Sequence, residues 1–319
     1  MTSPVGNEAA QAAFAAAVAS GSMHHAWLIA GPEGVGKGTF ARAAAASLIG
    51  GGTQRDDLIA AGAHPDFRLI EREVWTKPDV LTPLDERKET DVPARSIRVI
   101  QIRWLRAALA TRPSLGERRA VVIDAVDDLE AAGANALLKS LEEPPQGTIF
   151  LLVSHAPGRL LPTIRSRCRL LRFGLLDGGE MRGALLTARP DLDRDELAAL
   201  AEVGEGSPGR ALRFAGLDVA GLDAAIAAIA ADGDADNARR STLARALGGK
   251  GAAARYEAFL ERAPAFMARA ARQRSGAALA ATLDAHARAR DVAGAALGLS
   301  LDPQATVWAM AGLLAGLPR

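Results

Sequence analysis

The chain has one cysteine, Cys168, in 319 residues, so it can form no internal disulfide and build no multi-cysteine zinc cluster. That scarcity suits a reducing compartment. Lysine is nearly as rare, 5 residues against 33 arginines, which makes an arbitrary arginine weak evidence for a role and a lysine in a glycine-rich loop conspicuous. Long hydrophobic runs are missing too. No stretch reaches membrane-spanning length, and the opening "MTSPVGNEAAQAAF" has neither a basic n-region nor an apolar h-region, which predicts a cytoplasmic protein with no membrane partner. An excess of one charge is also absent: a net charge of +1 excludes bulk polyelectrolyte attraction to nucleic acid, though not a local basic patch. What is present is an ordinary globular composition, 49% hydrophobic and 24% charged, in a chain long enough for two or three domains.

The pattern along the chain is one of alternation. Residues 7–19 predict a short alanine-rich helix. "AWLIA" (26–30) is a compact apolar strand that leads into "GPEGVGKGTF" (31–40) and then "FARAAAASLIG", the order strand, phosphate loop, helix. "DFRLIE" (66–71) reads as a second strand, and the proline-punctuated residues 72–96 as a long surface loop. From Ser96, placed to cap it, the pattern turns helical, with Ile97, Ile100, Trp104, Leu105 and Leu109 on one face and Arg98, Arg103 and Arg106 largely off it. "AVVIDA" is another buried strand. "LEAAGANALLKSLEEPP" is a helix stopped by Pro144 and Pro145, "TIFLLVS" (148–154) a strand, and "LLPTIRSRCRLLRF" runs from helix into strand. Such alternation predicts an α/β fold with a parallel sheet covered on both faces. It stops near residue 175, and the remainder reads as helices joined by short Gly, Pro and Asp connections, with a break near residues 215–223.

The glycine-rich loop nearly fits the phosphate-binding pattern G-x-x-x-x-G-K-[ST]. Gly31, Gly36 and Lys37 match, Gly34 adds a further glycine, but Gly38 stands where the hydroxyl residue belongs and Thr39 comes one position late. Glycines let successive backbone N–H groups turn inward around an anion, and the helix N-terminus adds partial positive charge. Lys37 supplies a point charge for the outer phosphates, and the next residue normally gives Mg²⁺ a hydroxyl ligand, which Gly38 cannot. A Gly-Thr pair after the lysine also occurs in some nucleotide kinases, so Thr39 stays a candidate. The loop's partner is an acidic strand end that holds Mg²⁺, followed in hydrolytic enzymes by a carboxylate that polarises water. "VVIDAVDD" offers Asp124 for the first role and Ala125 where the second belongs, with Asp127 and Asp128 read as caps of the next helix.

Residues 118–173 carry "NALLKSLEEPP" followed by "SRC", a combination that resembles the bacterial clamp-loader subunits of the AAA+ family. "HHAWLIAGPEGVGKGTF", "HPDF" (64–67), "SLGERRAVVID" and "GSPGRAL" (206–212) agree in order, and together they span roughly residues 5–215. The resemblance implies a P-loop AAA+ ATPase-like domain over residues 1–175, a small helical lid over 176–217, and an all-α C-terminal collar over 218–319. With Ala125 in the catalytic position, it implies a stator rather than a motor subunit, with little or no ATPase activity of its own. ATP with Mg²⁺ is then a weak or non-catalytic ligand. The implied partners are the motor subunits γ or τ and the δ subunit in a hetero-oligomeric ring, the DNA polymerase III holoenzyme, and through the complex the sliding clamp and primed DNA.

By the same resemblance Arg167 of "SRC" is an arginine finger donated to a neighbour, Arg210 takes the second-sensor position and Ser154 the first. A four-cysteine zinc module common in such domains is missing, so no zinc is expected, and His24, His25 and His64 read as packing or hydrogen-bonding residues. Arg98, Arg103 and Arg106 fit two readings, a template-phosphate contact or a solvated helix face. The competing functions are an active motor ATPase, against which Ala125 argues, a nucleotide kinase, against which the clamp-loader motifs argue, and a purely structural homologue in which Arg167 is dispensable.

Overall fold

The structure, a computed structural model, describes residues 4–21, 23–50, 57–59, 61–77, 80–81, 94–249 and 251–318. The chain divides into two compact units, Met1–Asp191 with Gly204–Arg210, and Leu192–Val203 with Ala211–Arg319.

The first unit opens with α1 (Glu8–Ala19), β1 (Ala26–Ala30) and α2 (Lys37–Ile49), and continues with β2 (Phe67–Glu71) and a short ribbon of β3 (Trp75–Lys77) and β4 (Val80–Leu81). Next come α3 (Val99–Ala108), β5 (Arg119–Asp124), α4 (Ala131–Glu142), β6 (Thr148–Ser154), a one-turn helix α5 (Pro162–Arg165), β7 (Arg169–Arg172) and α6 (Gly178–Ala188). Five strands form one sheet in the order β2-β5-β6-β1-β7, every pair parallel, the arrangement the alternation predicts. All five residues of β1 and all seven of β6 are buried, which is why both read as unbroken apolar runs rather than as alternating patterns.

The side chains of successive strand residues leave on opposite faces. On one face Leu28, Val121, Ile123, Phe150 and Leu152 pack against Ile102 and Leu105 of α3, Leu137 and Leu141 of α4 and Ile164 of α5. On the other, Trp27 meets Phe14 of α1 edge-on at 5.0 Å, Phe14 meets Phe40 of α2 at 5.4 Å, and Phe40 meets Phe173 at 5.1 Å. Four of the chain's few aromatics are spent on that one contact.

Three local readings need correction. Residues 72–96 are not wholly loop, because Trp75–Lys77 pairs antiparallel with Val80–Leu81. Trp75, Thr76 and Val80 are residue types suited to strands, a signal that the prolines and charges around them mask in the sequence; residues 78–79 and 82–93 of that stretch lie outside the described residues. Ser96 does not cap α3: its hydroxyl donates to Glu130 Oε1 at 3.1 Å, and the helix entrance is instead held by Gln101, whose Oε1 accepts from Arg98 N at 2.9 Å. Trp104, assigned to the apolar face, is 46% exposed, because Ile102 rather than Trp104 turns inward beside Leu105.

The loop from α3 to β5 is fastened by two buried charges. Asp66, 1% exposed, accepts from Ser114 N and Leu115 N, each at 2.7 Å, and lies 3.8 Å from Arg119 Nε. Arg119 is itself buried, and its Nη1 and Nη2 donate to Ala108 O and Arg112 O at 3.0 and 2.9 Å. His64 Nδ1 accepts from Asp66 N at 3.1 Å. "HPDF" and "SLGERR" are thus two halves of one structural fastening.

The second unit is helical, with α7 (Arg194–Gly204) and, after the short α8 (Pro208–Leu212) that crosses the division, α9 (Val219–Asp232), α10 (Ala238–Leu247), α11 (Ala253–Ala271), α12 (Gly276–Leu299) and α13 (Pro303–Ala315). α10 packs on α13 and α11 on α12. Arg262 of α11 is 1% exposed and ion-pairs with Asp223 of α9. α12 buries only Thr282, Ala289 and Ala296, seven residues apart, while Leu283, Arg290 and Leu297 are exposed at the same spacing. Among the described residues no helix is long and apolar enough to cross a membrane.

Candidate phosphate loop and outward arginine

β1 ends at Ala30, and Gly31 N donates to Ser154 O at 3.2 Å, so the loop leaves the sheet beside the end of β6. Gly34 has φ +77, and a Cβ there would lie 2.3 Å from Ser207 Oγ, so only glycine fits both the backbone and the space. The 207–210 segment is clasped onto the loop: Ser207 Oγ donates to Glu33 O and Gly209 N to Gly34 O, both at 2.8 Å. Gly36 precedes α2, and Lys37 is its first residue. Lys37 is buried, and its ammonium donates to Gly31 O at 2.8 Å and to Pro32 O. Burial pulls its pKa down to about 8, against the attraction of Asp124, Asp127 and Glu33.

Gly38 and Asp124 meet. A Cβ at Gly38 would stand 2.3 Å from Asp124 Oδ2 and 3.1 Å from Arg42 Nη1, so the carboxylate fills the room of the missing side chain. Thr39, one residue on, is exposed. Asp124 ends β5 opposite Glu71, its register partner at the end of β2. Arg42 of α2 reaches both, Nη1 lying 3.6 Å from Asp124 Oδ2 and Nη2 3.2 Å from Glu71 Oε2.

Ala125 is buried and offers a methyl group. Asp127 and Asp128 do not cap α4, whose N-cap is Glu130. Asp127 instead accepts from Ser154 Oγ at 2.9 Å, His155 N at 2.7 Å and Ala156 N at 3.1 Å, while Asp128 pairs with Arg72 Nε at 3.2 Å. Burial pushes the Asp128 carboxyl up, with Arg72 opposing. They turn away from α4 because the 3₁₀ turn Val126–Asp128 aims them at β6 and at the end of β2.

Gly31, Gly34, Gly36, Lys37, Gly38, Asp124 and Ser154 therefore gather at the carboxyl ends of β1, β5 and β6. Arg210 lies beside the loop through its backbone, and its Nη1 pairs with Glu205 Oε2 at 2.6 Å. Arg167 takes no part in that cluster. It sits on the turn between α5 and β7, with Nη2 2.7 Å from Glu142 Oε1 and Nη1 donating to Thr163 O at 3.0 Å, its side chain one-third exposed. Arg42 and Glu71 carried no motif. The acidic strand end of "DFRLIE" was the only signal for either, since Arg42 is hidden in an arginine-rich chain.

The phosphate end of this site has the residue types an anion calls for: glycines at positive φ, a helix N-terminus, and Lys37 held against the loop carbonyls. The metal end does not fit Mg²⁺. Position 38 has no hydroxyl, and Asp124 is already engaged by Arg42. Among the described residues no group of three or more His, Cys, Asp and Glu side chains is gathered to hold a metal ion.

Cys168, beside Arg167, is partly buried, and burial pushes its thiol up to about 12. At pH 8 the thiolate is then about 10⁻⁴ of the total, against roughly a quarter for an ordinary thiol. Reaction with a disulfide reagent at pH 8 is expected to run at least about tenfold slower in the folded chain than in urea, and to go on rising with pH where the unfolded thiol levels off. A rate equal to that of the unfolded chain contradicts this environment.

The profile of the family described as DNA polymerase III, delta subunit, matches residues 6–177. The chain belongs to that family. Over 204 residues it is 36% identical to the DNA polymerase III subunit delta' of Pseudomonas aeruginosa, a match covering 61% of this chain and 57% of that one. Over 202 residues it is 31% identical to the delta' subunit of Escherichia coli K12, covering 60% and 55%. It is also 34% identical over 181 residues to the gamma/tau subunit of Mycobacterium tuberculosis H37Rv, covering 57% and 30%. The match thus spans little more than half the length of the two delta' relatives. The resemblance drawn from "NALLKSLEEPP" and "SRC" holds at the level of the family. The residues that match the DNA polymerase III delta family take in the whole loop, Asp124, Ser154 and Arg167, whereas Arg210 and the whole of the second unit lie beyond them.

Proposed function

We propose that the chain is a clamp-loader subunit of DNA polymerase III that acts through its interfaces rather than by its own turnover. In this reading it is the stator of a hetero-oligomeric ring with motor subunits γ or τ and with δ, in the cytoplasm. The ring opens the sliding clamp and places it on primed DNA. Arg167 enters the nucleotide site of a neighbour, and residues 176–217 and 218–319 serve as lid and collar. The exposed Leu283, Arg290 and Leu297 stripe of α12 supports the collar role, since an outer helix face of that kind suits helix–helix docking.

One observation carries the stator reading: among the described residues, none of the carboxylates that follow Asp124 is placed to orient water. The position after Asp124 is Ala125, Asp127 is spent on the end of β6 and Asp128 on Arg72. A guanidinium supported on two sides and open to solvent is, by contrast, suited to meeting phosphate charge on another chain.

The test is ATP hydrolysis by the isolated protein, then by the complex reconstituted with motor subunits, δ, clamp and primed DNA. No turnover above background is expected from the chain alone, with DNA-stimulated turnover in the complex. Steady hydrolysis by the isolated chain that disappears in Lys37→Met defeats the stator reading.

A further inference from the structure

We propose that Arg42 is a built-in cation that takes the place of the divalent ion at this phosphate loop and excludes it. Glu71 and Asp124 are register partners on adjacent parallel strands, whose backbones run about 4.8 Å apart. Two carboxylates so placed repel each other unless a cation lies between them. Arg42 supplies that cation from α2, one nitrogen on each carboxylate at 3.2 and 3.6 Å. Its charge persists at any pH at which the protein is folded, and its planar fork reaches two acceptors at once.

Gly38 completes the arrangement. A serine or threonine hydroxyl is the usual second ligand of the ion, but the space it would occupy is where Asp124 Oδ2 and Arg42 Nη1 converge, 2.3 and 3.1 Å from the position of a Cβ. The missing hydroxyl and the arginine are therefore complementary. A divalent ion would have to displace a guanidinium ion-paired with its main carboxylate ligand, with no hydroxyl at position 38 to replace what is lost.

The isolated full-length chain titrated with MnCl₂ and followed by electron paramagnetic resonance reads this directly. Wild type is expected to leave the free-ion signal unchanged up to millimolar Mn²⁺. Arg42→Ala should bind one Mn²⁺ at least tenfold more tightly than wild type, and adding Asp124→Asn should abolish the gain. Arg42→Lys retains the charge and should still exclude the ion. If circular dichroism shows Arg42→Ala misfolded, Arg42→Gln, which keeps most of the stem, serves in its place. Mn²⁺ binding by wild type that Asp124→Asn removes overturns the proposal, and so does an alanine or glutamine variant that binds no more tightly than wild type. The titration involves no partner subunit, so it can fail while the stator reading stands, and the reverse.

Discussion

On the proposed finger role, Arg167→Ala is expected to slow ATP turnover by about 10³-fold or more at the neighbour's nucleotide site, while the chain still folds and assembles. The size follows from the chemistry: a permanent, planar positive charge that meets developing phosphate charge in a site shielded from water is worth about 4 kcal/mol or more of barrier. Folding should be spared, because the side chain is one-third exposed and gives up the Glu142 ion pair and the hydrogen bonds to Thr163 O and Ser166 Oγ, all at the surface. Arg167→Lys should recover little, since an ammonium cannot reproduce the two-pronged geometry. The measurement is single-turnover hydrolysis and clamp loading on primed DNA, with assembly checked by gel filtration. Unchanged turnover in a properly assembled complex leaves Arg167 as the dispensable surface residue of the structural alternative.

The largest stability effect is expected at Asp66. Asp66→Ala orphans the N–H groups of Ser114 and Leu115 and leaves Arg119 buried without its counter-charge. Removing one partner of a buried ion pair typically costs about 3–5 kcal/mol, because the remaining charge stays desolvated. Asp66→Asn keeps one acceptor oxygen and should cost less than the alanine. Urea denaturation followed through the unfolding of the first unit gives the number. A loss below about 1 kcal/mol, the range of ordinary surface changes, refutes the fastening described for this loop.

The parts of the fold legible in the sequence were those set by local periodicity. β1, β6 and the helix after the phosphate loop are apolar runs or amphipathic stripes whose lengths admit one assignment, and all appear where expected. What escaped was set by partners distant in sequence. Asp66 meets backbone 48 and 49 residues away, and Asp127 meets residues 27 to 29 away, so nothing local distinguishes either from a helix cap or a solvated acid. Trp104 lies at the margin of its helical stripe, where periodicity alone fits either side. At the candidate site the glycines, Lys37 and Asp124 were visible as a motif. Arg42 was not: an arginine five residues into a helix, in a chain with 33 of them, carries no signal until a structure shows it between two carboxylates.

Arg167 stands two residues before β7, and β7 lies in register against β1, the strand that opens into the phosphate loop. A push delivered at the arginine turn therefore enters a slab whose central strands are wholly buried, and close-packed interiors yield little under load. On the proposed reading the first unit behaves mechanically as an anvil. Work done by a neighbour against that turn is returned to the neighbour as displacement instead of being absorbed by the unit that lends the arginine.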